Sequence, residues 1–188
     1  MSTVPGVRRF GPTAVATPAN LVTLARVALT VPLLAVIALD GPTWRSFVGW
    51  VLVGGTDGLD GWLARRDGTT RSGAFLDPLA DKFLAIGGLW VMGGKGVFPW
   101  VAVVAILARE VWISVYRWAL ARHGVSMPAR SLGKAKTLFQ LLAVGFALCP
   151  ITAELYVVSL GLLWVAVGLT VASAADIVVA VRRRPVEV

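Results

Sequence analysis

Charge is scarce in this chain of 188 residues: Asp, Glu, Lys and Arg make up 15% of it, against a hydrophobic share of 57%. That share exceeds what a soluble domain carries. A soluble fold of this size has too little interior to hide it, so lipid is the solvent implied. Cysteine is almost missing. The lone Cys149 excludes an intrachain disulfide and reads as a small buried hydrophobe. The opening stretch, MSTVPGVRRFGPTAVATPAN, lacks an apolar core before a small-residue cleavage site, so no cleavable signal peptide is expected. There is no internal repeat and no low-complexity tract, and the length suits one domain, 1–188. The single histidine, His123, falls in a polar loop and reads as a surface residue.

Acids are the scarcer sign, ten against eighteen bases, for a net charge of +8. The bases gather at the ends of apolar runs rather than on one continuous face. Anionic lipid or phosphate is therefore the expected partner, and no nucleic acid.

The apolar runs predict an all-α integral membrane protein with six transmembrane helices, near residues 21–39, 44–64, 73–92, 99–121, 134–148 and 155–181. Residues 1–19 read as a cytoplasmic or interfacial arm, 20–181 as the bundle and 182–188 as a tail. Arg8, Arg9, Arg65, Arg66, Arg71, Arg122, Arg130, Lys134, Lys136, Arg182, Arg183 and Arg184 fall on one side of that bundle, and only Arg45 and Lys95 on the other. Positive charge marks the cytoplasmic side. Both termini and the 65–72 loop are expected there, in a cell (inner) membrane. The eight tryptophans are expected mostly at lipid-facing or interfacial positions.

Half of the ten acids lie between Asp57 and Asp81. Asp57 and Asp60 share one helical face, as do Asp77 and Asp81, and a short loop makes their helices antiparallel neighbours. Four converging carboxylates beside a membrane raise one another's pKa unless cations bind them. Oxygen-only ligands favour Mg²⁺ or Mn²⁺, and two such ions can clamp an in-line phosphoryl displacement. Asp77 before Pro78 also suits a helix cap, whereas Asp57 and Asp60 sit inside an apolar run and have no such role. Asp67-Gly68 reads as a turn. Gly58, Gly61 and Gly73 leave room for a bulky ligand or a close helix. Arg65, Thr70 and Arg71 supply donors for a diphosphate.

Asp57, Asp60, Gly61, Ala64, Arg65, Gly73, Asp77 and Asp81 resemble the signature of the CDP-alcohol phosphotransferases, D-x-x-D-G-x-x-A-R followed by G-x-x-x-D-x-x-x-D. The spacer between Arg65 and Gly73 is one residue shorter than is common. Asn20-Leu21-Val22-Thr23-Leu24-Ala25-Arg26 is similar to the family's N-x-x-T-x-x-R segment, which helps hold the CDP group. The stretches Arg109 to Arg117 and Gly133 to Gln140 look like the branch that joins CDP-diacylglycerol to sn-glycerol 3-phosphate and releases CMP. The resemblance implies that Asp57, Asp60, Asp77 and Asp81 bind two divalent metal ions, and that Asp81 is also the base for the acceptor hydroxyl. It implies CDP-diacylglycerol binding by Asn20, Leu21, Val22, Thr23, Gly61, Arg65 and Thr70, and a homodimer.

A dianionic acceptor calls for cations, and Arg109, Arg117, Lys134 and Lys136 are the candidates. Arg109 and Arg117 share a helical face. The two lysines also suit a positive-inside anchor, Arg109 suits a buried ion pair with an acid on another helix, and Glu110 suits such a partner elsewhere in the bundle. Asp176, in the sixth run, suits an ion pair or a subunit contact. A cardiolipin synthase taking phosphatidylglycerol and an enzyme taking inositol phosphate remain open within the family. A cation channel or transporter remains open outside it.

Overall fold

A computed structural model describes residues 17–67, 71–122, 131–152 and 155–182. Among them are six α-helices and no strand: α1 (Pro18–Asp40), α2 (Trp44–Asp67), α3 (Arg71–Gly94), α4 (Trp100–Arg122), α5 (Ser131–Leu148) and α6 (Tyr156–Arg182). All six expected helices are present, each close to its expected bounds. The arm 1–16, His123, Thr70 and the tail beyond residue 182 lie outside the described residues.

The ends follow from local chemistry. Thr17 caps α1, its hydroxyl accepting from the Asn20 backbone N–H at 3.2 Å, and Pro18 opens the helix where no donor is needed. Gly41, at φ 71°, ends it by donating to the Ile37 carbonyl. The Thr43 hydroxyl accepts from the Ser46 N–H at the start of α2. After α3, Gly96 at φ 72° turns the chain, and the Met92 carbonyl accepts from both Val97 and Phe98.

Two helices, over Asn20–Asp40 and Tyr156–Ile177, are long and apolar enough to cross a membrane by length and composition. Much of the outer surface is apolar, including Leu39, Val101 and Val157.

α1 packs extensively on both α2 and α3, and α5 on α6; α3 and α2 also reach α5, and α4 reaches α6 and α3. Among the described residues, α2 and α3 touch each other far less than each touches α1. The two acidic helices are neighbours, as the short loop predicts, and α1 is the element that both pack on most. The core runs through Trp50, Leu84, Leu89, Met92, Phe98, Val144 and Leu163.

Trp50 departs from the expectation for tryptophan. It is 4% exposed and its Nε1 donates to the Leu141 carbonyl at 3.1 Å, so its polar handle is spent inside the bundle. Trp44, Trp90, Trp100, Trp112 and Trp164 are exposed, as expected. Asp77 departs from a capping role as well. α3 begins at Arg71, which puts Asp77 in the helix interior with no helix end to cap.

Candidate functional site: two charge clusters joined by α3

α1 is apolar except for one stripe. Asn20, Thr23, Arg26 and Thr30 recur at three- and four-residue intervals, and all are at most 1% exposed. The stripe faces the bundle, whereas Leu21 of the same segment is exposed and Val22 half-buried. A guanidinium cannot be buried without partners, and Arg26 has them on two other helices. Its Nη1 donates to Asp81 Oδ1 at 2.7 Å and to Asp57 Oδ1 at 3.4 Å, and its Nε donates to Thr56 Oγ1 at 2.9 Å. Thr56 in turn donates to the Val53 carbonyl, and Thr30 to the Arg26 carbonyl.

One buried cation therefore gathers two carboxylates from α2 and α3. The acids themselves lie outward: the side chain of Asp57 is 58% exposed and that of Asp81 36%. Gly58 borders open space, since a Cβ there would meet nothing within 4 Å. Both acids stand well inside their helices, roughly ten residues from the ends that face the 68–70 connection, or about 15 Å of helix.

Asp60 lies on α2 and Asp77 on α3, at spacings that put them on the faces of Asp57 and Asp81. The side chains of Asp60, Arg65, Arg71 and Asp77 and the surroundings of Gly61 are outside the described residues, as are the side chains of Arg117 and Lys134. No group of three or more potential metal ligands is complete among the described residues. The part of the quartet that is described fits a hard cation in donor type and access: two carboxylates, an all-oxygen donor set, partly exposed.

The second cluster centres on Glu110 of α4, which is 5% exposed. It accepts from Lys136 Nζ of α5 and, at 3.1 Å, from Nη1 of its neighbour Arg109. Lys82 Nζ of α3 stands 3.7 Å from its other oxygen and donates to Ser114 Oγ at 2.8 Å. Arg109 Nη2 reaches across to Ser173 Oγ of α6 at 2.5 Å. The side chains of Arg109, Glu110 and Lys136 are at most 10% exposed, and that of Lys82 is 41% exposed. Arg109 is thus in an ion pair, but with the acid beside it on α4 rather than with one on another helix as expected, and Lys136 is buried rather than an interfacial anchor.

Lys82 was not among the candidate site residues, and Arg26 entered only as the last position of the N-x-x-T-x-x-R segment, with no role of its own. Arg26 carries a sequence signal, an arginine inside an apolar run in step with Asn20 and Thr23. Lys82 carries none beyond its place after Asp81. Those two adjacent residues of α3 belong to different clusters, Asp81 to that of Arg26 and Lys82 to that of Glu110.

The sequence profile of CDP-alcohol phosphatidyltransferase matches residues 16–172, which takes in both clusters except Ser173. The chain belongs to the CDP-alcohol phosphatidyltransferase family. Among relatives in that family, a probable phosphatidylglycerophosphate synthase of Mycobacterium tuberculosis (strain ATCC 25618 / H37Rv) is 37% identical over 171 residues, covering 87% of this chain and 81% of the relative. A CDP-diacylglycerol–glycerol-3-phosphate 3-phosphatidyltransferase of Bacillus subtilis (strain 168) is 35% identical, covering 82% of this chain and 89% of the relative. Another of that name, from Shigella flexneri serotype 5b, is 35% identical, covering 80% and 87%. As a CDP-alcohol phosphatidyltransferase, the chain carries the family's acidic signature on α2 and α3 and a basic cluster on α3, α4 and α5.

Proposed function

We propose that this CDP-alcohol phosphatidyltransferase moves a phosphatidyl group from CDP-diacylglycerol to sn-glycerol 3-phosphate, giving phosphatidylglycerophosphate and CMP. The observation that carries the reading is the pairing of an acidic cluster, Asp57 and Asp81 on Arg26, with a separate cluster holding Lys82, Arg109 and Lys136. A phosphorylated acceptor needs cations of its own, apart from the site that handles the diphosphate. The names of the relatives support the same acceptor.

In this reading Asp57, Asp60, Asp77 and Asp81 hold two Mg²⁺ or Mn²⁺ ions. When bound, these ions neutralise charge on the phosphoryl oxygens and on departing CMP. The protein's own groups do the rest. Asn20, Leu21, Val22, Thr23, Gly61, Arg65 and Thr70 bind CDP-diacylglycerol. Arg26 fixes the orientation of Asp81, whose carboxylate takes the proton from the acceptor hydroxyl. That oxygen forms a bond to the β-phosphorus as the bond to CMP breaks. Arg109, Arg117, Lys134 and Lys136 bind the acceptor phosphate and hold the hydroxyl in reach. The six helices span the cell membrane with both termini and the site on the cytoplasmic side, and the chain works as a homodimer.

The test is CMP release by the purified full chain in detergent. Glycerol 3-phosphate is compared with phosphatidylglycerol and inositol phosphate, each with Mg²⁺ and with excess chelator. Turnover with glycerol 3-phosphate, abolished by the chelator, is expected. Preference for either other acceptor overturns the assignment.

A further inference from the structure

A buried carboxylate that meets three cations from three helices is not explained by metal or nucleotide chemistry. Glu110 touches Lys136, Arg109 and Lys82, on α5, α4 and α3. We infer that Glu110 is the positioning residue of the acceptor-phosphate site, and that Lys82, which it aims, is a further phosphate-binding residue; this rests on the acceptor reading above.

Three observations converge. First, exposure is graded. Glu110, Arg109 and Lys136 are at most 10% exposed, whereas Lys82 is 41% exposed. Lys82 is therefore the cation of the group most open to an incoming anion, ahead of Arg109 and Lys136, and Glu110 lies behind it. Second, Lys82 Nζ is held twice, by Ser114 Oγ at 2.8 Å and by Glu110 Oε2 at 3.7 Å. A lysine is otherwise a flexible point charge with much rotamer freedom to lose. Restraint from two sides removes most of that loss before the ligand arrives. Third, Lys82 follows Asp81 directly, so the group that holds the phosphate is tied by one peptide unit to the group assigned the hydroxyl proton. An acceptor carrying both a phosphate and a hydroxyl on a short carbon skeleton matches that adjacency. Glu110 makes no contact with the acidic cluster among the interactions described, so its influence runs through the cations.

The test is steady-state kinetics of the full chain with each substrate varied in turn. Glu110→Gln keeps the shape and removes the charge. It is expected to raise KM for glycerol 3-phosphate about tenfold or more, the scale of a charge-assisted hydrogen bond, with KM for CDP-diacylglycerol within about twofold. Glu110→Asp is expected to recover part of the loss. Lys82→Met, at a partly exposed position, is expected to give the same split if Glu110→Gln does not fold. Equal rises in both KM values, or a fall in kcat with both KM values unchanged, overturn the inference. A lowered KM for glycerol 3-phosphate in Glu110→Gln also overturns it, since Glu110 then competes with the phosphate. If the unaltered chain turns over no glycerol 3-phosphate, the functional reading fails and takes this inference with it. If the unaltered chain is active and the variants' acceptor KM values are unchanged, only this inference fails.

Discussion

At the scale of single residues the molecule depends on where it hides positive charge. Arg26 is 1% exposed and donates to acids on two other helices, so its removal leaves Asp57 and Asp81 facing one another without their shared cation. A divalent ion supplies the same compensation from outside. Arg26→Met is therefore expected to lower the melting temperature in metal-free detergent, and to be stabilised by Mg²⁺ more than the unaltered chain is, because a ligand that binds the folded state adds stability by mass action. A Mg²⁺ shift no larger than that of the unaltered chain contradicts this coupling. Asp81→Asn leaves a side chain of similar shape that cannot take a proton. Its rate of CMP release is expected to fall by about 10²–10⁴-fold, the usual worth of general-base help. Full activity in that variant removes Asp81 as the base. That Asp57 and Asp81 come together was legible, because a carboxylate inside an apolar run needs a partner. Arg26, Lys82 and the hub role of Glu110 were harder to read, because each depends on which helices meet, and spacing along one helix does not encode that.

At the scale of elements, helix contacts rest on a few missing side chains. A Cβ at Gly88 of α3 would fall 2.4 Å from Trp50 Cη2 and 2.7 Å from its Cζ3, with Val144 Cγ1 at 3.2 Å. Trp50 cannot easily yield, since its Nε1 is fixed to the Leu141 carbonyl. Gly88→Ala is expected to destabilise the bundle by about 1–3 kcal/mol. Gly168→Ala on α6, where a Cβ meets nothing within 4 Å, is expected to be neutral or to stabilise by about 0.5–1 kcal/mol through helix propensity. Thermal unfolding of the two variants side by side checks the contrast, and equal melting temperatures refute it. The number and order of the helices were readable from apolar runs broken at Gly41, Gly96 and Pro150. Their packing was readable only in part: loop length made α2 and α3 neighbours, which they are, but α1 is what both pack on most. Trp50 was misjudged for a related reason: aromatic character favours the bilayer edge on average, but an acceptor carbonyl on a neighbouring helix moved this indole inside.

At the scale of the whole molecule, six helices with connected ends place alternate connections on opposite sides. A Cβ at Gly41, after α1, would lie 3.6 Å from Lys95 Nζ, after α3, so these two turns share one end of the bundle. Cys149, directly after α5 and half-buried rather than buried as expected, belongs with them in the proposed six-span topology. Hydrogen bonding from Thr152 holds its thiol below the ordinary range, which enlarges the reactive thiolate fraction at a given pH. A membrane-impermeant maleimide is expected to label Cys149 in intact cells without permeabilisation, read as a mass shift of the purified protein. Labelling that requires permeabilisation reverses the proposed orientation. The placement of Asp81 and Lys82 next to each other on α3 has a mechanical consequence. Consecutive helical residues are about 100° apart around the axis, so α3 works as a camshaft with two lobes at fixed phase. Sliding or tilting α3 moves the proposed proton acceptor and the proposed phosphate anchor together, while inserting one residue upstream rotates both lobes off their targets at once.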